Sequence, residues 1–485
     1  MMATVVSTGL RRWLASLALV LPLGSGCRTY WPLSPELEER IRSESEALSP
    51  PIDDAESVRN IGEATRQGEL PLPEAFELPE GIGIDGYVAL ALERNPSVQA
   101  RIRDLEALGL RVPQVTSLPN PMLGLVPDTG DMVETAGGMM GGSIGLSQGV
   151  PFPSKLKARG KVAEAVVRVA LANLRTERLG VVAEVKKAYY DLYATSASLS
   201  IARESESLLR RLRDVAEAMY RAGTGSSPDV LRAEVELYQL GNKILTLDQR
   251  RRTAIARLNA LMDRDIRADV PAPPLFDPEE VPWRLDTLIG RATAGSSDLE
   301  ALREQVGRDL EAVKLARLQY LPDFTIGGAW TFISNGGRSA VANGDDAWNL
   351  ALGVELPIWL HRIRAEILER QAALLATSLR FRRMRNDVFV MAQDFLTQAD
   401  TSYRNAILLR DAILPRARQT VAVSESAYRA GQVDFLSLIE SWRRLLDVEL
   451  DYHRSLADLE RSFADLERLV GETLPRGVPA AEVEP

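Results

Sequence analysis

Tyr220–Glu234 reads YRAGTGSSPDVLRAE and Tyr428–Ser441 reads YRAGQVDFLSLIES, so Tyr-Arg-Ala-Gly recurs 208 residues apart. Each copy closes one long run of helix-forming residues and opens another. Before the first, Leu208, Leu212, Val215 and Met219 step by fours and threes. After it, Val230, Ala233, Leu237, Leu240, Ile244 and Leu247 continue the same spacing. Leu414, Ala417, Val421 and Tyr428 lead into the second copy, and Phe435, Leu438, Trp442 and Leu445 lead out. Alternating threes and fours put one apolar seam on a helix, the condition for two antiparallel helices to pack as a coiled coil. Gly223 and Gly431 supply the positive φ that ends a helix. The spacing predicts two helical hairpins, each with YRAG at its tip.

The repeat extends outward from the tips. SLPNP at Ser117 matches YLPDF at Tyr320, 203 residues on, and GVPFPSKLKARGK at Gly149 matches ELPIWLHRIRAEI at Glu355, 206 residues on. Each half reads as helix, Leu-Pro break, short segments, Pro break, very long helix, tip and helix. Between Pro153 and Pro228 lie 74 residues without proline; at ~1.5 Å per residue a helix of about 70 residues reaches ~100 Å. The domain organisation expected is a signal peptide over 1–26, an extended Pro- and Ser-rich leader over 27–82 and a first repeat over 83–267. A Pro-rich linker over 268–283, with five prolines, a second repeat over 284–471 and a tail over 472–485 follow.

The short segments have a period of two. In DFTIGGAWTF from Asp323, one face carries Phe324, Ile326, Gly328, Trp330 and Phe332, and the other Thr325, Gly327, Ala329 and Thr331. In WNLALGVEL from Trp348, Trp348, Leu350, Leu352, Val354 and Leu356 alternate with Asn349, Ala351, Gly353 and Glu355. GSIGLSQGV from Gly142 alternates Ile144, Leu146 and Val150 with Ser143, Gly145, Ser147 and Gly149, and PMLGLVP from Pro121 follows more weakly. An apolar face backed by a small, polar one over about ten residues is the pattern of a transmembrane β-strand. Four strands cannot close a barrel, and an open edge is not tolerated in lipid. A membrane-spanning form therefore has to be an oligomer: two chains give 8 strands and a filled interior, three give 12 and room for a lumen.

At the start of the chain, Arg11 and Arg12 precede an apolar run, Trp13–Leu23, too short to span a bilayer, and GSGC ends at Cys27, the only cysteine. This is the layout of an export signal with Cys27 as a lipidation site. The net charge of −9 becomes −11 on cleavage before Cys27, since Arg11 and Arg12 leave with the signal. Nothing in this acidic balance suggests a nucleic-acid partner, which would favour a basic face. No later run of apolar residues is long enough for a transmembrane helix.

With these features in place, the chain resembles the TolC family of outer-membrane efflux factors over roughly residues 83–471. GLSQGVPFPSKLKARGKVAEA, Gly145–Ala165, is similar to the strand-to-helix junction of its heavy-metal, CusC- and CzcC-like branch, with Ser154 where that branch has Gly. The resemblance implies a mainly α protein with a small membrane β part. It further implies two tandem helix–strand–strand–helix repeats that trimerise into a 12-stranded β-barrel plus a long periplasmic α-helical barrel. It implies a homotrimer in the outer membrane of a Gram-negative bacterium, in contact with outer-membrane lipid. The function implied is a passive exit duct with a gated periplasmic mouth. The duct docks onto a periplasmic adaptor (membrane fusion protein) and an inner-membrane pump of the resistance-nodulation-division type. Tyr220, Arg221, Ala222 and Gly223, with Tyr428, Arg429, Ala430 and Gly431, would be the docking tips.

The family carries acidic residues after the tip glycine that narrow the closed mouth. Asp229 stands six after Gly223; the same place in the second copy is Ser437, a departure, while Asp434 is near and Glu440 lies nine after Gly431. Acidic rings at a constriction favour cations, and their mutual repulsion makes them sensitive to protonation and divalent ions. Asp229, following Ser227 and Pro228, equally suits a helix cap. No P-loop or Gly-x-Ser-x-Gly is present, so no enzyme and no cofactor is expected. His361 and His453 have no metal-ligand spacing and read as solvated helix residues, and Met122, Met132, Met139 and Met140 read as loop filler; no metal site is assigned. Two alternatives stay open: a type I secretion channel for a polypeptide, and a periplasmic coiled-coil envelope protein without a pore.

Overall fold

The structure is a computed structural model that describes residues 32–46, 48, 51–68, 73, 76–79, 81–127, 134, 135, 137–335, 338 and 344–476. Cys27, Met132, the signal segment and residues 477–485 lie outside them. In chain order the helices and strands are α1 (Pro35–Ser45), α2 (Ala55–Gln67), α3 (Ile84–Arg94), α4 (Pro96–Thr116), β1 (Met122–Val126), β2 (Glu134–Thr135), β3 (Gly138–Val150), α5 (Pro153–Arg221) and α6 (Ser227–Leu261). The second half continues with α7 (Leu285–Gly295), α8 (Ser297–Leu318), β4 (Asp323–Ser334), β5 (Ala347–Glu355), α9 (Leu360–Leu408), a π turn (Leu409–Ile413), α10 (Leu414–Arg429) and α11 (Phe435–Val470). Among the described residues no helix is long and apolar enough to cross a membrane.

The leader is not extended throughout. Asp54 accepts from Ser57 N–H to start α2, and Gly68 ends it in the left-handed region, so 55–67 is a capped helix. The tail is not free either: Leu474 is buried and Pro475 C=O accepts from the Trp283 indole at 3.2 Å. Met122, Met139 and Met140, read as loop filler, stand in strands, Met122 in β1 and the other two in β3, which begins four residues earlier than the alternation indicates.

Two compact units divide the chain, and each half of the sequence contributes to both. One unit joins Ala107–Val167 and Arg308–Ala373 with the described residues of Met1–Arg40 and contains every described strand. Its sheet is antiparallel in the order β1-β3-β4-β5, with β2 added beside β3. The two hairpins, β1/β3 and β4/β5, are thus stitched by the β3–β4 ladder, Val150↔Phe324 through Ser143↔Thr331, and β1 and β5 are the free edges. Gly138 starts β3 at φ 135°, where a Cβ would meet Ser334 O at 2.0 Å, so this position admits no side chain.

The other unit joins the described residues of Ile41–Glu106, Arg168–Gly307 and Leu374–Pro485. The two tip hairpins, α5/α6 and α10/α11, share one core. Leu209, Leu212 and Ala216 of α5, Ala233, Leu240 and Leu247 of α6, Tyr428 of α10, and Phe435, Leu438, Ile439 and Trp442 of α11 are buried together. Each fully buried Leu or Phe contributes roughly 1.5–3 kcal/mol, so this core outweighs any single turn or cap. On α5 the buried line is one residue from that expected at Leu208, Val215 and Met219, which flank it half-buried. A second core joins Leu288 and Ala292 of α7, Val388 and Ala392 of α9, and Phe463 and Leu466 of α11. The Pro-rich linker belongs to this unit, with Phe276 packed on Tyr193 at 4.6 Å between ring centres.

Candidate functional site

The strand faces come first, because they decide what the sheet can lie against. Residues opposite each other in a ladder share a face. Leu125, Ile144, Trp330 and Trp348 form one row across the four strands, and Leu123, Leu146, Gly328 and Leu350 the next. Gln148, Ile326 and Leu352, then Val150, Phe324 and Val354, complete that face. The reverse face carries Gly124, Gly145, Ala329 and Asn349, and Met122, Ser147, Gly327 and Ala351. Each strand alone is a weak signal; the register aligns all four into one apolar face and a reverse face of small and polar residues, interrupted on β1 by Met122 and Val126. Leu352 is 74% exposed and Trp348 73%. A single layer offering such rows to its surroundings suits lipid on one side and water on the other.

The tips are built from local chemistry. Gly223 N–H donates to Tyr220 O and Thr224 N–H to Met219 O, both at 3.0 Å. Gly431 N–H donates to Tyr428 O at 3.0 Å and Gln432 N–H to Ala427 O at 2.8 Å. Both are Schellman closures, with Gly223 at φ 75° and Gly431 at φ 69°. YRAG is therefore the last turn of a helix plus its left-handed cap.

The acids that follow serve the next helix. Asp229 reaches back to the Ser226 N–H at 3.4 Å, and Asp434 accepts from Ser437 N–H at 3.0 Å and from the Ser437 hydroxyl at 2.5 Å. The Ser437 hydroxyl and N–H hold the Asp434 carboxyl below its ordinary range. Ser437, the departure from the acidic pattern, is thus the partner of the neighbouring acid. Glu440 is exposed, opposite the buried Leu438, Ile439 and Trp442. The Tyr428 hydroxyl is buried without a well-formed hydrogen bond, and burial, then the Asp229 carboxylate, push it up to about 12.

The structure adds residues that the sequence pattern passed over. Glu236, buried on the α6 seam, takes a two-pronged contact from Arg443 of α11, through Nη2 and through Nε at 3.0 Å. That bond raises the Arg443 guanidinium further, and it ties the two hairpins together just behind the tips. The one available signal was an acid at a seam position, since its partner lies 207 residues away. Arg429 likewise pairs with Glu425 at 2.5 Å. His453 is not solvated: it lies half-buried with the Tyr193 hydroxyl 2.8 Å from Nδ1, and burial lowers its pKa. Among the described residues no group of three or more His, Cys, Asp or Glu is placed to hold a metal ion.

A family model described as outer membrane efflux protein matches residues 87–264 and again 288–472, one match for each half. The cobalt-zinc-cadmium resistance protein CzcC of Cupriavidus metallidurans is 23% identical over 80% of this chain and 90% of its own. Among solved structures, CusC superposes with a TM-score of 0.68 at 15% identity, covering 83% of this chain and 97% of that one. VceC of Vibrio cholerae superposes with a TM-score of 0.67 at 16% identity, covering 80% and 96%. At such identities the structures establish the fold.

Proposed function

This chain belongs to the outer membrane efflux protein family and is an efflux channel of the outer membrane; we propose that it is the exit duct of a tripartite system, assembled as a homotrimer. The reading without a pore falls with the family match. The observation that carries the duct is the two-faced sheet, with its apolar rows running unbroken from Leu125 to Trp348 and its small residues behind them. Three such sheets make a 12-stranded wall with a polar lumen, and the hairpin unit supplies helices for a periplasmic barrel. The YRAG tips, Tyr220–Gly223 and Tyr428–Gly431, dock the adaptor, which links the duct to an inner-membrane pump of the resistance-nodulation-division type. Cys27 anchors the chain to the membrane by a lipid.

The mouth is gated by Asp434, Glu440 and Asp229, brought in threes around the axis. Arg443 and Arg429 are each bonded to another acid, Glu236 and Glu425, and the exposed Glu440 lies in the field of Arg443. The likeness to a cobalt-zinc-cadmium resistance protein supports divalent transition-metal ions as cargo. A strain lacking the chain should then lose tolerance to these metals before it loses tolerance to drugs.

The test of the duct uses the faces. An Arg on a lipid-facing strand at mid-bilayer costs about 2–4 kcal/mol and one on the lumen side far less. Leu352→Arg should abolish most of the assembled trimer and its conductance in planar bilayers, while Ala351→Arg keeps both. Equal losses would mean that this sheet does not stand in lipid.

A further inference from the structure

Within the hairpin unit the second half of the chain repeats the first in burial as well as in spelling. Buried Val181, Val185, Leu192 and Leu199 of α5 return 207 residues on as buried Val388, Ala392, Ala399 and Ala406 of α9. Buried Ile255 and Leu258 of α6, with Met262 after it, return 208 residues on as Phe463, Leu466 and Val470 of α11. Asp263, left-handed at φ 50°, returns as Gly471 at φ 81°. Each repeat also opens a groove at the same place. The first, about 390 Å³, lies between α5 and α6, with Arg454 and Arg461 of α11 at its side. The second, about 490 Å³, lies between α9 and α11, with Lys187 of α5 at its side. Asp191, Ala194 and Thr195 of the first correspond to Gln398, Thr401 and Ser402 of the second. On the other wall Arg250 and Arg257 correspond to Asp458 and Asp465, so the charge is inverted.

The second groove neutralises itself. Lys187 Nζ meets Asp465 at 2.5 Å, and Arg461 is bonded to Asp458. The first carries four guanidinium groups against one carboxylate, Asp191. Three of the four are steadied by acids: Arg257 Nη2 by Glu184 at 2.5 Å, Arg454 Nη1 by Asp451 at 3.1 Å, and Arg461 by Asp191 and Asp458. Arg257 and Arg454 are each met through one terminal nitrogen, whereas a guanidinium has five N–H donors in a planar fork. Among the described residues Arg250 has no acid partner. Forks gathered in this way match the oxygens of a carboxylate or phosphate two at a time, and a bound anion relieves their mutual repulsion.

We infer that the groove between α5 and α6 is a binding site for a multivalent oxyanion, with Arg250 and Arg257 as its principal ligands. Phosphate and a tricarboxylate share the chemistry it requires, several charged oxygens set apart on one small body. The groove side of these helices is turned away from the linker and the tail. On α11 the row Arg454, Asp458, Arg461 and Asp465 lies opposite Phe463, whose ring the tail's Arg476 covers at 4.4 Å. On α5, Tyr190 and Tyr193, which hold Phe276 of the linker, stand about a third of a turn or more from the row Asp191, Thr195 and Ser198. Linker and tail cannot run through a conducting lumen, so in the duct the groove side faces that lumen and the bound anion supplies counter-charge to a divalent cargo. This placement rests on the duct reading; the site itself does not.

Calorimetric titration of the full chain in detergent, with inorganic phosphate and separately with citrate over a chloride background, tests the site. Saturable binding of at least one of the two is expected, and the tighter one tells a phosphate site from a carboxylate site. Arg250→Gln with Arg257→Gln should weaken that binding by about tenfold or more. Arg251→Gln with Arg252→Gln removes the same charge from the same stretch of α6 outside the groove lining, and should leave the affinity within about twofold. Equal losses in the two double variants would reduce the site to a general field of arginines and overturn it, as would the absence of saturable binding in the unsubstituted chain. If loss of the Arg257–Glu184 bond unfolds the protein, Arg250→Gln alone decides, since it breaks no ion pair among the described residues; unchanged affinity overturns the site. Conductance of the same preparation in planar bilayers separates site from duct. A conducting channel that binds neither anion loses the site and keeps the duct, and a chain that binds without conducting keeps the site and loses the duct.

Discussion

The two hairpin tips share four letters and one turn, yet they treat the same tyrosine in opposite ways. Tyr220 is 51% exposed and Tyr428 is 4% exposed, packed at a tilt against Phe435 with ring centres 5.2 Å apart. The buried line on α5 runs through Leu209, Leu212 and Ala216, and on α10 through Val421 and Tyr428. Moved back by 208 residues, Val421 and Tyr428 fall on Arg213 and Tyr220, one residue off the α5 line. The π turn at Leu409–Ile413 holds one residue more than an α turn, and the helix after it is rotated accordingly. Pro415 follows at once; it has no N–H to complete the bond to Asp411 that an α-helix would make. A turn is specified by its glycine, whereas the side of the helix that a tyrosine faces is specified by phase accumulated far upstream.

The largest effect expected from this contrast is in packing. Tyr428→Ala should destabilise the second hairpin by about 3 kcal/mol, as buried aromatic truncations do, and Tyr220→Ala should stay within about 0.5 kcal/mol. Hydrogen exchange of α10 and α11 against α5 and α6 measures both. Tyr428→Phe should cost little, because the buried hydroxyl lacks a well-formed bond. Comparable losses at the two tyrosines would erase the contrast.

A smaller effect sharpens it from the other side. At Gly223 and Gly431 an added Cβ meets nothing within 4 Å. The penalty for Ala is then the left-handed backbone alone, about 1–2 kcal/mol, and it should be equal at the two tips. Unequal losses by the same exchange measurement would show that the turns differ as well as the tyrosines.

The smallest effect concerns charge. Asp434→Ala with Glu440→Ala should lower cation preference and divalent block in planar bilayers by more than Asp229→Ala, and leave the fold intact. Because the Asp434 carboxyl is held low, its capping contribution is full above the ordinary carboxylate range. That contribution is lost as pH falls through the lowered folded value. The stability difference between wild type and variant should therefore close in strong acid. Unchanged selectivity and block would move the constriction elsewhere along the helices.

Much of this molecule was legible in the order of residues. The breaks at Pro119, Pro151, Pro322 and Pro357 bounded the strands, and the seam from Phe435 to Trp442 and Leu445 is buried as spaced. What escaped the sequence were pairings over distance: Glu236 with Arg443, His453 with Tyr193, and the phase shift that buries Tyr428. Neither partner of such a pair carries a local mark of the other.

By itself the sequence determined the two-fold repeat, the glycine-capped tips, the alternation of strand faces and the family, since each depends on neighbours within a turn, a strand or a heptad. Only the tertiary structure decided which strand lies beside which and in what register. It also decided which tyrosine is buried, because these depend on segments brought together from up to about 200 residues apart. A ladder of hydrogen bonds fixes such a meeting to one residue, whereas spacing in the chain leaves it free.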